Sequence, residues 1–265
     1  MAAEPEITDP TLRHAFTADG LGLPAFPAQL IDPGEGLAGS SDGLGAHIMG
    51  ATVVGWLSGR PLRRWGVAWL SGGTLALRFR RHLEVGDPLV LLIGDAPGDE
   101  RYQLRSPDGA LCADGWSTMD ASSDEPVVPS WVPPPEPKLD PRVDLVIGTE
   151  LGSVELDFDA ERDLAFVERL DAGDPWRTMS VAHPAWLTSA VNALIRRSVE
   201  FEDGRFVHAG VVVRTRAPIK TGSQLVVHAK VVERFDTPNR HFAVINAMVT
   251  SSGTPMVTID HTIAF

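Results

Sequence analysis

Apolar residues crowd the stretch from Ala182 to Ile195, where Ala185, Leu187, Ala190, Val191, Ala193, Leu194 and Ile195 leave little polar surface apart from Thr188, Ser189 and Asn192. The spacing predicts a helix enclosed by other structure rather than one lying on water. Pro184 suits the first helical position, because its ring presets the backbone and its missing N–H is not needed there, so His183 is the predicted N-cap. The same pattern stands earlier in the chain, from Ala46-His47-Ile48-Met49-Gly50 to Trp56-Leu57, predicting a first helix over about 45–58. The two histidines, 47 and 183, lie 136 positions apart. Arg78-Phe79-Arg80 matches Arg214-Thr215-Arg216, and Gly86-Asp87-Pro88-Leu89 matches Gly222-Ser223-Gln224-Leu225, at that same offset. The register then slips to 144, pairing Asp108-Gly109 with Ser252-Gly253, as a longer loop in the second half would require. One supersecondary unit has been copied in tandem.

Strand-like segments follow each helix. In the first half they fall at 67–81, 88–93, 101–106 and 111–119, and in the second at 205–217, 224–234, 241–250 and 255–265. Alternation assigns the faces: Leu75, Leu77 and Phe79 oppose Arg78 and Arg80, while Val211, Val213 and Thr215 oppose Val212, Arg214 and Arg216. Ahead of the second helix, 145–158 reads as a strand pair and 160–170 as an amphipathic helix capped by Asp159. A short helix is expected near 12–16. The Pro-rich run from 122 to 142 can neither supply ladder hydrogen bonds nor continue a helix, so it reads as a linker held to the surface by Trp131. The expected organisation is an N-terminal unit over 1–121, that linker, and a C-terminal unit over 143–265. The fold class is α+β, with two half-wrapped helices whose sheets join edge to edge.

Composition narrows the setting. With 43% hydrophobic residues in 265, the chain has material for a substantial core, and a formal charge of −12 opposes broad binding to nucleic acid or anionic membrane. The lone cysteine, Cys112, forms no intrachain disulfide, no Cys/His cluster has metal-ligand spacing, and neither a leader nor a spanning segment is evident. A soluble protein of the reducing cytoplasm is expected, and a homodimer stays open as a partner state.

A helix entered through an Ala-His pair, followed by Arg-x-Arg-x-Pro-x-x-x-Gly-x-x-Leu (Arg214, Arg216, Pro218, Gly222, Leu225), resembles the hotdog fold, and more closely the MaoC-like hydratase and dehydratase branch in double-hotdog form. That resemblance implies an acyl thioester substrate, with coenzyme A or acyl carrier protein as part of the substrate and no separate cofactor. The chain departs from the branch where an Asp followed by Asn-Pro-Leu-His would stand. It has Gly173-Asp174-Pro175-Trp176 instead.

Candidate chemistry therefore gathers at the helix entrances, where first-turn amides carry partial positive charge. His183 is the candidate acid or base, or else a helix cap. Asn192, nine residues on, could orient substrate or else satisfy a buried backbone group, and its counterpart Trp56 argues that the first half is structural. Asp174 could stand at the mouth of the site, although Gly-Asp-Pro is also a turn signature. The amides of Ala185 and Trp186, or those of Met49 and Gly50 behind His47, could polarise a thioester carbonyl. Arg214 and Arg216, with Arg78 and Arg80, could hold carrier phosphates, against their reading as a solvated strand face. Ser40, Ser41 and Asp42 form a loop with no adjacent base. The leading expectation is an enoyl or 3-hydroxyacyl thioester hydratase or dehydratase with its substrate in a groove between the two helices. The alternatives are an acyl thioesterase and a non-catalytic acyl-binding protein.

Overall fold

The computed structural model describes residues 13–17, 47–48, 50–81, 83–84, 88–96, 98–106, 108–119, 126–159, 161, 175–202 and 206–265. In chain order the elements are β1 (Arg13–Thr17), β2 (His47–Ile48), α1 (Gly50–Trp65), a 3-10 turn (Gly66–Ser71), β3 (Thr74–Phe79), β4 (Leu83–Glu84), β5 (Pro88–Ala96), β6 (Asp99–Arg105), β7 (Leu111–Thr118) and β8 (Glu150–Asp157). A second 3-10 turn (Pro175–Thr178) then leads into α2 (Pro184–Ser198), followed by β9 (Val207–Thr215), β10 (Gln224–Thr237), β11 (Arg240–Ser251) and β12 (Thr254–Ala264).

Ten strands make one antiparallel sheet in the order β1-β5-β6-β7-β3-β9-β12-β11-β10-β8, while β2 and β4 pair separately. Read outward from the centre, the two halves have the same topology: β3 answers to β9, β7 to β12, β6 to β11, β5 to β10 and β1 to β8. The join is the β3–β9 ladder, in which Ala76 stands opposite Val212. Those two residues are themselves 136 positions apart, the offset of the duplication. The copies are thus related by a pseudo-twofold axis through that pair.

Alternation works as the sequence implies. Leu75 and Leu77 on β3 and Val211, Val213 and Thr215 on β9 are buried toward the helices, whereas Arg78 and Arg80 pair with Asp114 on the far side. Inside the curve of the sheet lie α1 and α2. In α2 every side chain from Pro184 to Ile195 is buried, as is most of α1 from Ala51 to Leu62. A side polar bond reinforces the join: the Thr215 hydroxyl donates to the Trp69 carbonyl and accepts from the Gly73 N–H at 3.0 Å.

Several sequence expectations change. Residues 13–17 form an edge strand on β5, not a helix, because five residues cannot sustain a helix alone while a waiting sheet edge offers them ladder bonds. The first helix starts at Gly50 rather than 45 and runs through Gly59 and Pro61 to Trp65, past residues that read as a stop, because its buried face supplies the stability that propensity does not. The first strand starts only at Thr74, after the 3-10 turn, and 145–158 holds the single strand β8. Apart from Glu161, which is helical, 160–170 lies outside the described residues.

The Pro-rich segment is docked, but not by Trp131, which is 54% exposed. Instead Val132 exchanges bonds with Ser153 on β8, its carbonyl accepting from the Ser153 N–H and its own N–H donating to the Ser153 hydroxyl at 3.2 Å. Gly152 makes the approach feasible. It has a φ of 89°, and a Cβ there would fall 2.6 Å from the Pro134 nitrogen. Further along, the Leu139 N–H donates to the Ser198 carbonyl, and the Glu200 N–H to the Leu139 carbonyl, tying the segment to the end of α2.

Thr215→Val removes the hydroxyl that bridges the two copies. It is expected to lower unfolding free energy by about 1–3 kcal/mol, read as a reduced urea midpoint with unchanged slope.

Candidate functional site

Each copy carries one helix entrance, and the two differ. At the α2 entrance, His183 is the N-cap: its Nδ1 accepts from the Ala185 N–H at 3.1 Å, and its carbonyl accepts from the Trp186 and Leu187 N–H groups at 3.0 and 3.2 Å. With Nδ1 as acceptor, the proton of the neutral ring sits on Nε2. The imidazole is 0% exposed and lies 4.7 Å from the Trp176 ring. The amides of Ala185 and Trp186, candidates for polarising a carbonyl, are therefore both engaged by the cap. Trp186 packs on Phe158 at 5.5 Å and is buried. What space remains beside Pro184 and Leu187 is an apolar cleft of about 10 Å³ against Leu70, Val213 and Ile219, room for about one water.

Asn192 is buried on α2 with its Oδ1 unpaired. Nine residues along a helix advance about 13 Å and turn about half a revolution from the cap, so Asn192 and His183 do not converge on one atom. The helices α1 and α2 pack directly on each other. Arg214 lies on the face of β9 that points away from the helices, where its Nη1 pairs with Asp260 at 2.5 Å and Asn246 donates to the same carboxylate. Arg214 is thus neutralised by a part-buried carboxylate, and Arg216 is the next residue on the same face. Asp174, Met49 and the loop at 40–42 lie outside the described residues, and His47 is described only as backbone paired with Glu84. Among the described residues no group of three or more His, Cys, Asp or Glu is arranged to hold a metal.

The α1 entrance contains what the sequence did not single out. His208 on β9 stacks on His261 of β12, ring centroids 3.8 Å apart and 15° from parallel. Phe79 lies 4.6 Å from His208, and Phe206 stands edge-on to His261 at 6.4 Å. The Nε2–H of His208 donates to the Gly210 carbonyl at 3.1 Å, so its Nδ1 is a bare acceptor, buried and without a partner among the described residues. That nitrogen abuts the first residue of α1: a Cβ added to Gly50 would fall 2.3 Å from it. His261 is 0% exposed, and neither of its ring nitrogens has a partner among the described residues.

Burial, only partly offset by the bond to Gly210, pulls the His208 pKa down to about 3. Burial, and then the neighbouring His208, lowers His261 as well. Both rings are neutral in the folded protein at pH 7.

Two predictions follow from these geometries. His183→Ala should lower stability by about 1 kcal/mol by removing a cap, while His183→Asn, which can cap, should lose far less; thermal unfolding measures both. Between pH 6.5 and about 3 the unfolded chain binds protons that folded His208 and His261 do not, so stability is full above pH 6.5 and falls as pH drops through that window. Urea titrations across pH should show this slope, and His208→Phe should flatten it.

No family model and no curated protein matches the sequence. Solved structures do. RV0216 of Mycobacterium tuberculosis, described as a conserved hypothetical protein with a double hotdog fold, superposes with a TM-score of 0.57 at 13% identity over 98% of each chain. A MaoC-like dehydratase superposes at 0.55, with 12% identity over 83% of this chain and 84% of its own. A variant of the GphF dehydratase superposes at 0.51, with 14% identity over 95% and 91%. Likeness at such identities speaks for architecture: tandem copies, each a buried helix wrapped by half of one continuous antiparallel sheet, make this chain a double hotdog protein.

Proposed function

We propose that the chain acts on acyl thioesters, adding water to an enoyl thioester or removing it from a 3-hydroxyacyl thioester. The observation that carries this reading is the double hotdog arrangement itself, since it sets the amino end of α1 against β9, the strand by which the neighbouring copy joins the sheet. First-turn N–H groups at such an end have no partner within the helix, and they favour the negative charge that collects on a thioester carbonyl when the α carbon gains or loses a proton. Architectural kinship with proteins named dehydratases, over most of both chains, points the same way.

Of the two ends, α2 spends its first amides on His183 and is closed by Trp186. The α1 end has glycine at the matching position. The substrate carries its own activating group, coenzyme A or acyl carrier protein, and the chemistry needs no electron acceptor. Cys112 is buried and free, in keeping with the reducing cytoplasm where such thioesters are made.

Incubation of the purified chain with crotonyl-coenzyme A tests this. Loss of enoyl absorbance without release of free thiol is the expected result. Thiol release would instead make the chain a thioesterase, and neither change across short and long enoyl chains would make it a binder without turnover.

A further inference from the structure

The histidine pair exists because of a local irregularity in β9. Alternation that turns Val211, Val213 and Thr215 inward would turn His208 outward, with Val212 and Arg214. But the β9–β12 register steps from Gly210 opposite Thr262 to His208 opposite Ile263, leaving Ala209 unmatched. That single extra residue is a β-bulge, and it rotates His208 onto the inner face beside His261. The matching pair in the other half, β3 with β7, runs from Thr74 to Phe79 in unbroken register.

The pseudo-twofold shows what stands at equivalent places. Ala76 faces Trp116 as Val212 faces Asp260, so the counterpart of His261 is Ser117. Ser117 is buried and satisfied: its hydroxyl donates to Tyr102, the Tyr102 hydroxyl donates to Glu100 at 2.6 Å, and Arg60 closes the chain on Glu100 at 2.9 Å. The counterpart of Gly50 is Trp186, which fills its own entrance. One entrance thus meets a paired polar network and a plug, each contributed by a different copy, where the other meets a glycine and two imidazoles with unspent nitrogens. A buried polar group left unpaired costs about 1–3 kcal/mol, a cost that a bound hydrogen-bond donor would offset.

We propose that the reacting end of the acyl thioester binds at the α1 entrance alone, where His208 Nδ1 accepts a hydrogen bond from the β-hydroxyl of the hydrated acyl group. His261 is the positioning residue that holds the His208 ring by stacking on it. The assignment rests on the thioester reading above and adds to it the place, the recognising atom and the number of sites. The chemistry of the surroundings selects the ligand: a bare acceptor beside Phe79, with Phe206 against the neighbouring His261, welcomes an O–H donor carried on an apolar chain. His208 as a residue is partly exposed, while its Nδ1 lies buried against Gly50. Both sequence copies are needed, because α1 comes from the first and the histidines from the second.

Isothermal titration calorimetry of the full chain with 3-hydroxybutyryl-coenzyme A and butyryl-coenzyme A tests the assignment. The wild type should prefer the hydroxylated ligand by about tenfold or more, because a site built around a hydroxyl rejects the analogue that lacks it. His208→Phe should abolish the preference while leaving affinity for the butyryl ligand, and His261→Phe should reduce it. Gly50→Ala, which pushes the His208 ring without altering either imidazole, should reduce it too, so the question is answered even if His208→Phe misfolds. A preference that survives in the Gly50 and His208 variants, or that disappears in His183→Asn instead, overturns the assignment while leaving the thioester reading intact. Failure of both ligands to bind the wild type defeats the thioester reading and this assignment with it.

Discussion

Everything in this molecule depends on one ladder, the antiparallel pairing of β3 with β9. Without it each half would end in a strand of buried apolar residues with an unpaired edge, Leu75 to Leu77 on one side and Val211 to Val213 on the other, the kind of edge that invites aggregation. Joined, the two edges satisfy each other, and the half-sheets become a single surface curved around two helices. The same pairing fixes where chemistry can occur. Because the axis passes between Ala76 and Val212, the copies exchange contacts at the centre of the sheet, where the amino end of α1 touches β9.

From that symmetric starting point the copies have diverged in complementary directions. The α2 entrance has become structural. A proline at the first position, a histidine cap and two buried tryptophans leave it closed and its first amides spent. The α1 entrance has kept polarity at a cost in stability, through a glycine where a side chain would collide, a bulge that redirects His208, and a partner ring that makes no hydrogen bond. Stability concentrated at one entrance and unsatisfied polarity at the other is a division of labour that duplication permits, since a single-copy ancestor assembled as a symmetric pair would carry both features at both ends or neither.

The duplication itself was legible, because periodicity and spacing survive divergence: helix positions, the alternation on β3 and β9, the His183 cap and the edge-to-edge join all follow from patterns local in sequence. His183 was legible as a cap for the reason it is one, since proline after it marks the first helical turn. The histidine pair was not. His208 sits in Val207-His208-Ala209-Gly210, where simple alternation points it to solvent, and only the mismatch with β12 reverses that. His261 lies more than fifty residues away in sequence, so no motif joins them. β1 was misread for a similar reason, as a five-residue segment takes its conformation from the edge it completes. The Pro-rich segment shows the same limit, for its docking point is a glycine on β8 and not its own tryptophan.

The central claim is that two copies, one sheet and two helices yield a single working end. A crystal structure with a hydrolysis-resistant thioether analogue of 3-hydroxyacyl-coenzyme A addresses it directly. The account predicts one analogue per chain, its hydroxyl within hydrogen-bond distance of His208 Nδ1 and the α2 entrance still closed by Trp186. An analogue seated beside Pro184 and Leu187, or one at each helix, would contradict it.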